Sequence, residues 1–166
     1  RDYDEAEKEL DNILDNINTA GQPKYCTNLR VNSILSYKLS EVPEGVNITY
    51  DVKVPEELDV DYSDLGVIIG NLIDNSKHAV SRVLENNMDA YIDIKLICHA
   101  DNIVFIIKNN YINTPEARNI DYYKNHGRGI GSVRKIIKKY DGMYDVKKTE
   151  YEYVTSVSVG VRNMRM

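Results

Sequence analysis

Apolar residues along this chain recur with two periods, and the switches between them mark its elements. Near the start, Tyr3, Ala6, Leu10, Ile13 and Ile17 alternate at spacings of three and four with Asp and Glu between them. That pattern predicts a helix over residues 1–18. Two heptads are too short for a stable coiled coil alone, so the segment is either a helix lying on the domain or the end of a longer dimerising helix. Gly21 and Pro23 break it, and a second helix runs to about Ser40 with Leu29, Ile34, Leu35 and Leu39 as its apolar members. The period then becomes two: VNITYDVKV, residues 46–54, alternates as a strand does.

A long helix follows to about Glu85, with Asp61 or Ser63 placed to cap it. AYIDIKLICHA and NIVFIIKN then form a hairpin around Asp101-Asn102. Residues 111–126 are polar and irregular, a length that inside a compact domain points to a functional lid or an unstructured segment. Val133, Ile136, Ile137 and Tyr140 predict a helix over 132–140, ended by Asp141-Gly142. MYDVKK and VTSVSVGV, turning near Glu150, close the chain as a last hairpin. The order α-α-β-α-β-β-lid-α-β-β implies an α+β fold, a two-layer sandwich with helices on one face of a mixed, mostly antiparallel sheet.

The 166 residues suit a helical tail over 1–20 and one domain over 21–166 with its lid at 111–126. A net charge of −5 argues against nucleic acid as partner, because phosphate backbones are met by basic surfaces. No apolar run approaches the ~18 residues of a membrane span, so this segment is expected to make no membrane contact. The chain opens at Arg1 inside a charged helical pattern, as a piece of a longer protein would. Cys26 and Cys98 have no CxxC spacing, which fits packing roles in a reducing, cytoplasmic setting.

Two stretches carry candidate chemistry. On a helical wheel, Leu65, Ile68, Ile69, Leu72, Ile73, Ala79, Val80 and Val83 fill one side of the long helix. Asn71, Asp74, Asn75, His78 and Arg82 fall within an arc of about 100° on the other. Such an arc is either a solvated face or a site, since amide oxygens one turn apart suit a hard cation such as Mg²⁺. The second stretch is NHGRGIGSVRKIIKKYDG, residues 125–142, where Gly127, Gly129 and Gly131 lead into a helix. This is either a tight loop or an anion site of bare amides at a helix start. The Walker A, Rossmann, GxSxG, HExxH and CxxC patterns are all absent from the sequence.

Taken in order, these stretches resemble the ATP-binding domain of the GHKL superfamily, which includes topoisomerases, chaperones, mismatch-repair ATPases and sensor histidine kinases. NLIDNSKHAV, residues 71–80, looks like the N box, and HGRGIGSV, residues 126–133, looks like the G2 box with Ile130 for its leucine. IIKNN looks like the strand end that carries the G1 box, DxG, with Asn109 for the aspartate and Tyr111 for the glycine. NLRVNSILSYKLSEVPEGVNITYDV is similar to the segment before the N box in Agr-type, peptide-pheromone-sensing histidine kinases.

The resemblance implies the Bergerat ATP-binding fold, with ATP and Mg²⁺ as cofactors. It makes Asn75 the metal ligand and puts Asn71 where hydrolysing relatives carry a glutamate base. Asparagine cannot take a proton at neutral pH, so ATP is expected to survive until an acceptor arrives. Asp74, His78, Lys124, Gly127, Gly129, Ile130 and Gly131 fall to the nucleotide site, and Asn109 to adenine as an uncharged acceptor. The chain is then expected to be the catalytic domain of a two-component sensor histidine kinase. It would phosphorylate a histidine on a separate dimerisation domain of a homodimeric, membrane-anchored parent, which passes the phosphate to a response regulator. By itself the chain is expected to bind ATP without autophosphorylating. A GHKL serine kinase or ATPase, and a docking module blind to nucleotide, are the alternatives.

Overall fold

The computed structural model describes residues 23–113 and 120–161, with residues 120–128 described as backbone. The helix expected over 1–18 and the middle of the expected lid lie outside the described residues. Helix α1, Leu29–Ser40, begins at Asn28, whose side chain accepts from the Val31 amide at 3.0 Å. The same side chain donates to Pro55 O and Tyr62 Oη, both at 3.0 Å, and so ties α1 to the segment leading into the next helix. Val31, Leu35 and Leu39 form the buried row of α1. Leu29, expected in that row, is 40% exposed: it sits at the first helical position, one residue past the cap and off the Val31 face.

Strand β1, Val46–Lys53, pairs in parallel with β2, Ala90–His99, and helix α2, Tyr62–Glu85, is the crossover between them. Strand β3, Asn102–Asn110, returns antiparallel to β2 through a turn in which Ala100 takes φ 50°. After helix α3, Ile120–Lys139, strands β4, Met143–Lys148, and β5, Glu152–Gly160, form a hairpin that inserts β5 beside β3. The sheet order is β1-β2-β3-β5-β4. It is the mixed, mostly antiparallel sheet that the alternating segments imply.

Alternation puts Ile92, Ile94, Leu96, Ile103, Phe105, Ile107, Val157 and Val159 on the sheet's inner face. They pack under Leu65, Ile68, Ile69, Leu72, Ile73, Val80 and Val83 of α2 and Val133 and Ile137 of α3. Asp93 and Lys95 of β2 face outward. The fold is therefore two layers with one core.

Helix α3 differs from its expected bounds. It starts at Ile120 rather than near residue 132, so residues 120–126 of the expected lid are helical and the glycine run lies inside the helix. Three glycines cost roughly 3 kcal/mol against alanine, but the backbone ladder continues because no proline removes a donor. At the far end Asp141, not Gly142, takes the left-handed conformation (φ 48°), and the Gly142 amide donates to Ile137 O at 2.9 Å.

Candidate functional site

Helix α2 is fixed at its start by Asp61, whose carboxylate accepts from the Ser63 amide at 2.9 Å. From there its polar arc divides between two neighbours. Toward α1, Asp74 meets Lys38 Nζ at 2.9 Å and Lys77 Nζ at 3.4 Å, and Lys77 reaches Glu41 at 3.0 Å. Lys38 crosses Gly70 to get there: a Cβ on Gly70 would lie 3.1 Å from Lys38 Cε. Burial pulls the Lys77 amine's pKa down, but its bonds to Glu41 and Asp74 outweigh that and raise it. The Asp74 carboxylate is thus engaged with α1 and Lys77.

Toward α3, the structure joins two motifs that are far apart in sequence. A Cβ on Gly129 would lie 2.1 Å from Asn71 Oδ1, so glycine lets α3 approach α2 here without displacing the Asn71 amide. Asn71 Nδ2 donates to Val67 O at 2.7 Å. One turn on, Asn75 is half-buried with no hydrogen-bond partner among the described residues. His78 is exposed, with Nδ1 2.6 Å from Asp74 O. Ile130 packs on the core, and a Cβ at Gly131 would meet nothing within 4 Å. Gly127 lies in the helical backbone; the Lys124 side chain lies outside the described residues. In this closed arrangement the glycine amides face carbonyls one turn back, so the bare-amide anion site expected before residue 132 is not formed.

Next to Asn75, Ser76 faces the end of β3. Asn109, 3% exposed, accepts from Ser76 Oγ at 2.8 Å and donates to Asn110 O at 2.9 Å. Its cross-strand partner is Tyr153, with buried Thr155 two residues further along β5. Tyr111, which stands in place of the G1 glycine, does not fill the space above Asn109. Its amide donates to Tyr151 O at 3.0 Å, its hydroxyl to Thr149 O at 2.5 Å, and its ring meets Tyr153 edge-on at 6.4 Å. The first residue of the expected lid is thereby fastened to the β4–β5 hairpin. Below the same corner the Tyr91 hydroxyl donates to Glu152, and burial followed by that carboxylate pushes its pKa up to about 12.

Ser76 and Thr155 were not among the predicted residues. The signal for Ser76 was its place on the wheel, a serine in line with Leu72 and Val80 on the apolar side. Elsewhere, a crevice of about 360 Å³ lined by Asp59, Asp61, Lys139, Tyr140 and Asp141 opens near Gly160. Gly160 pairs with Asn102, seven residues and roughly 23 Å from Asn109 along β3. Its three carboxylates suit a triphosphate poorly.

The glycine pair yields a contrast of sign. Gly131→Ala is expected to stabilise the protein by about 0.5–1 kcal/mol, since the added methyl meets open space and strengthens the helix. Gly129→Ala is expected to destabilise it, because the methyl must push Asn71 or α3 aside. Urea unfolding of the two variants checks this, and a shared sign would contradict the packing described here.

Comparison with known proteins agrees with the geometry. A family model described as a GHKL domain matches residues 60–160. No curated protein matches the chain. The nucleotide-free catalytic domain of histidine kinase ThkA superposes with a TM-score of 0.60 at 14% identity, over 80% of this chain and 92% of that one. Histidine kinase AdeS of Acinetobacter baumannii gives 0.58 at 14% identity, over 92% and 74%. The histidine kinase domain of the E. coli osmosensor EnvZ gives 0.53 at 11% identity, over 84% and 88%. At these identities the likeness is one of fold.

Proposed function

The chain belongs to the GHKL domain family, and from that premise we propose that it is the ATP-binding catalytic domain of a two-component sensor histidine kinase. The observation that carries this reading is the meeting of Asn71 with Gly129, which sets the N box and the G2 box against each other, while Ser76 of the N box holds Asn109 at the end of β3. In this reading adenine meets Asn109, and the triphosphate runs between α2 and the first turns of α3. Asn75 holds the metal: its amide oxygen is a hard donor, and it has no competing partner among the described residues. Mg²⁺ held there would supply charge neutralisation to the nucleotide's phosphates. His78, Lys124, Gly127, Gly129 and Gly131 contact phosphate, and Asp74 supports the site through Lys38 and Lys77.

Asn71 favours transfer over hydrolysis. Its Nδ2 is committed to Val67 O and its Oδ1 lies against α3, and an amide cannot act as a general base for water. Binding requires the first turns of α3 to yield, and the glycine run keeps the cost of that within a few kcal/mol. The acceptor histidine is on a separate dimerisation domain of a membrane-anchored, homodimeric parent of the Agr-type, peptide-sensing group, acting on a response regulator in the cytoplasm.

Calorimetric titration of this chain with ATP, with and without Mg²⁺, tests the reading. Magnesium-dependent binding with a Kd between about 1 μM and 1 mM is expected. No binding up to several millimolar ATP would leave the fold standing and remove the function.

A further inference from the structure

We propose that the outer face of α1 is a docking surface for residues 1–18 of the same chain, which fold back along it as an acidic helix. The inference goes beyond the nucleotide reading and does not rest on it. Helix α1 buries Val31, Leu35 and Leu39 against the domain. Its other side presents Leu29, Ser33, Tyr37 and Ser40 at successive turns, with Leu29 40% and Tyr37 64% exposed. The two serines do little to make that row polar. Ser33 Oγ donates to Leu29 O at 2.9 Å and Ser40 Oγ to Tyr37 O at 2.7 Å, so both hydroxyl protons point back at the helix.

Charge identifies the occupant. Residues 24–40 carry Lys24, Arg30 and Lys38 and no acid. Lys38 is engaged by Asp74, and Arg30 lies over the Tyr62 ring at 4.8 Å. Neither Lys24 nor Arg30 has an ion-pair partner among the described residues. Residues 1–18 hold seven acids against two bases, a net −5 equal to that of the whole chain. Opposite charge on two neighbouring segments attracts over about 10 Å at 0.1 M salt.

The point of entry brings the two together. Residues 1–22 lie outside the described residues, but the chain that follows them is tied to α1. The Tyr25 amide donates to Asn32 Oδ1 at 2.8 Å, and the Tyr25 ring meets Tyr50 edge-on at 4.8 Å. Residues 19–23 span at most about 17 Å, which keeps residue 18 near the first turn of α1. Run back antiparallel from that turn, the apolar positions Ile17, Ile13 and Leu10 fall beside Leu29, Ser33 and Tyr37. Eighteen helical residues extend about 27 Å, enough to follow all of α1. A helix of that length is marginal alone in water, and the α1 row supplies the apolar surface it lacks.

The test is hydrogen exchange of the full chain read by mass spectrometry, with sedimentation to fix the oligomeric state. In the monomer, amides of residues 1–18 are expected to exchange about tenfold or more slower than in an unstructured peptide. Tyr37→Glu sets a like charge in the middle of the row, and Leu29→Asp sets one at its start. Both sites are exposed, and an acid at the first position of α1 favours that helix. Each substitution is expected to remove most of the protection in residues 1–18 and to leave α2 and β3 unchanged. Leu29→Asp keeps the question answerable if Tyr37→Glu disturbs the domain. Exchange of residues 1–18 at the unstructured rate in the wild type overturns the proposal. Protection that survives either substitution in a folded variant also overturns it, because the segment then lies elsewhere. Protection that grows with concentration alongside a dimer assigns the segment to a second copy and overturns docking within one chain.

Discussion

Asn75→Ala is expected to weaken ATP binding about a hundredfold in the presence of Mg²⁺ and to have little effect in its absence. The amide is half-buried on α2 and holds nothing else among the described residues, so its removal deletes a ligand without opening the core. The loss of one charge-assisted contact to a bound cation, on the order of 1.5–3 kcal/mol, corresponds to roughly 10- to 150-fold. Stability should change by no more than about 0.5 kcal/mol. Calorimetry with and without Mg²⁺ separates the two effects. An equal loss in both conditions would mean that Asn75 touches the nucleotide directly, and no loss would take the metal away from this turn of α2.

Phe105→Ala is the substitution expected to cost most in stability, about 3–5 kcal/mol. Phe105 is 1% exposed on the central strand, with Leu96 beside it on β2 and Val157 on β5. Truncation leaves a void on the central strand between β2 and β5, and neighbours held by two ladders cannot close it. Against a total of about 5–15 kcal/mol for a native domain, that is a large share. Urea unfolding should show a lower midpoint with an unchanged slope. A loss below about 1 kcal/mol would place the centre of the core elsewhere.

Where one period dominated, the sequence read true. The alternation of AYIDIKLICH and VTSVSVG placed β2 and β5, and the polar break before Leu65 offered Asp61 or Ser63 as the cap, of which the structure uses Asp61. Legibility failed where a competing local rule was overridden. Glycine is a weak helix former, so 125–131 read as a loop, yet the hydrogen-bond ladder carries α3 through it once Gly129 has a partner surface on Asn71. Leu29 read as core because it is apolar, but its position beside the cap turns it outward.

The candidate site was partly legible as well. Asn71 and Gly129 were named from separate motifs, and the fold brings them into contact. The place of Ser76 on the apolar face was visible on the wheel, but its role was not: only the tertiary partner, Asn109, gives it one. Tyr111 read only as a departure from the glycine of the G1 box. Its ring is drawn onto the hairpin by Thr149 and Tyr153, a contact between residues some forty positions apart that no local pattern encodes.

The edge-on pair of Tyr111 and Tyr153 also has an optical consequence. The chain contains no tryptophan, so an indole introduced at position 153, opposite Asn109, would be the molecule's sole long-wavelength emitter. Its colour and quenching would follow the polarity of that one corner as solvent is displaced. Ligand occupancy, otherwise a quantity inferred from heat, would become a signal that can be followed in real time.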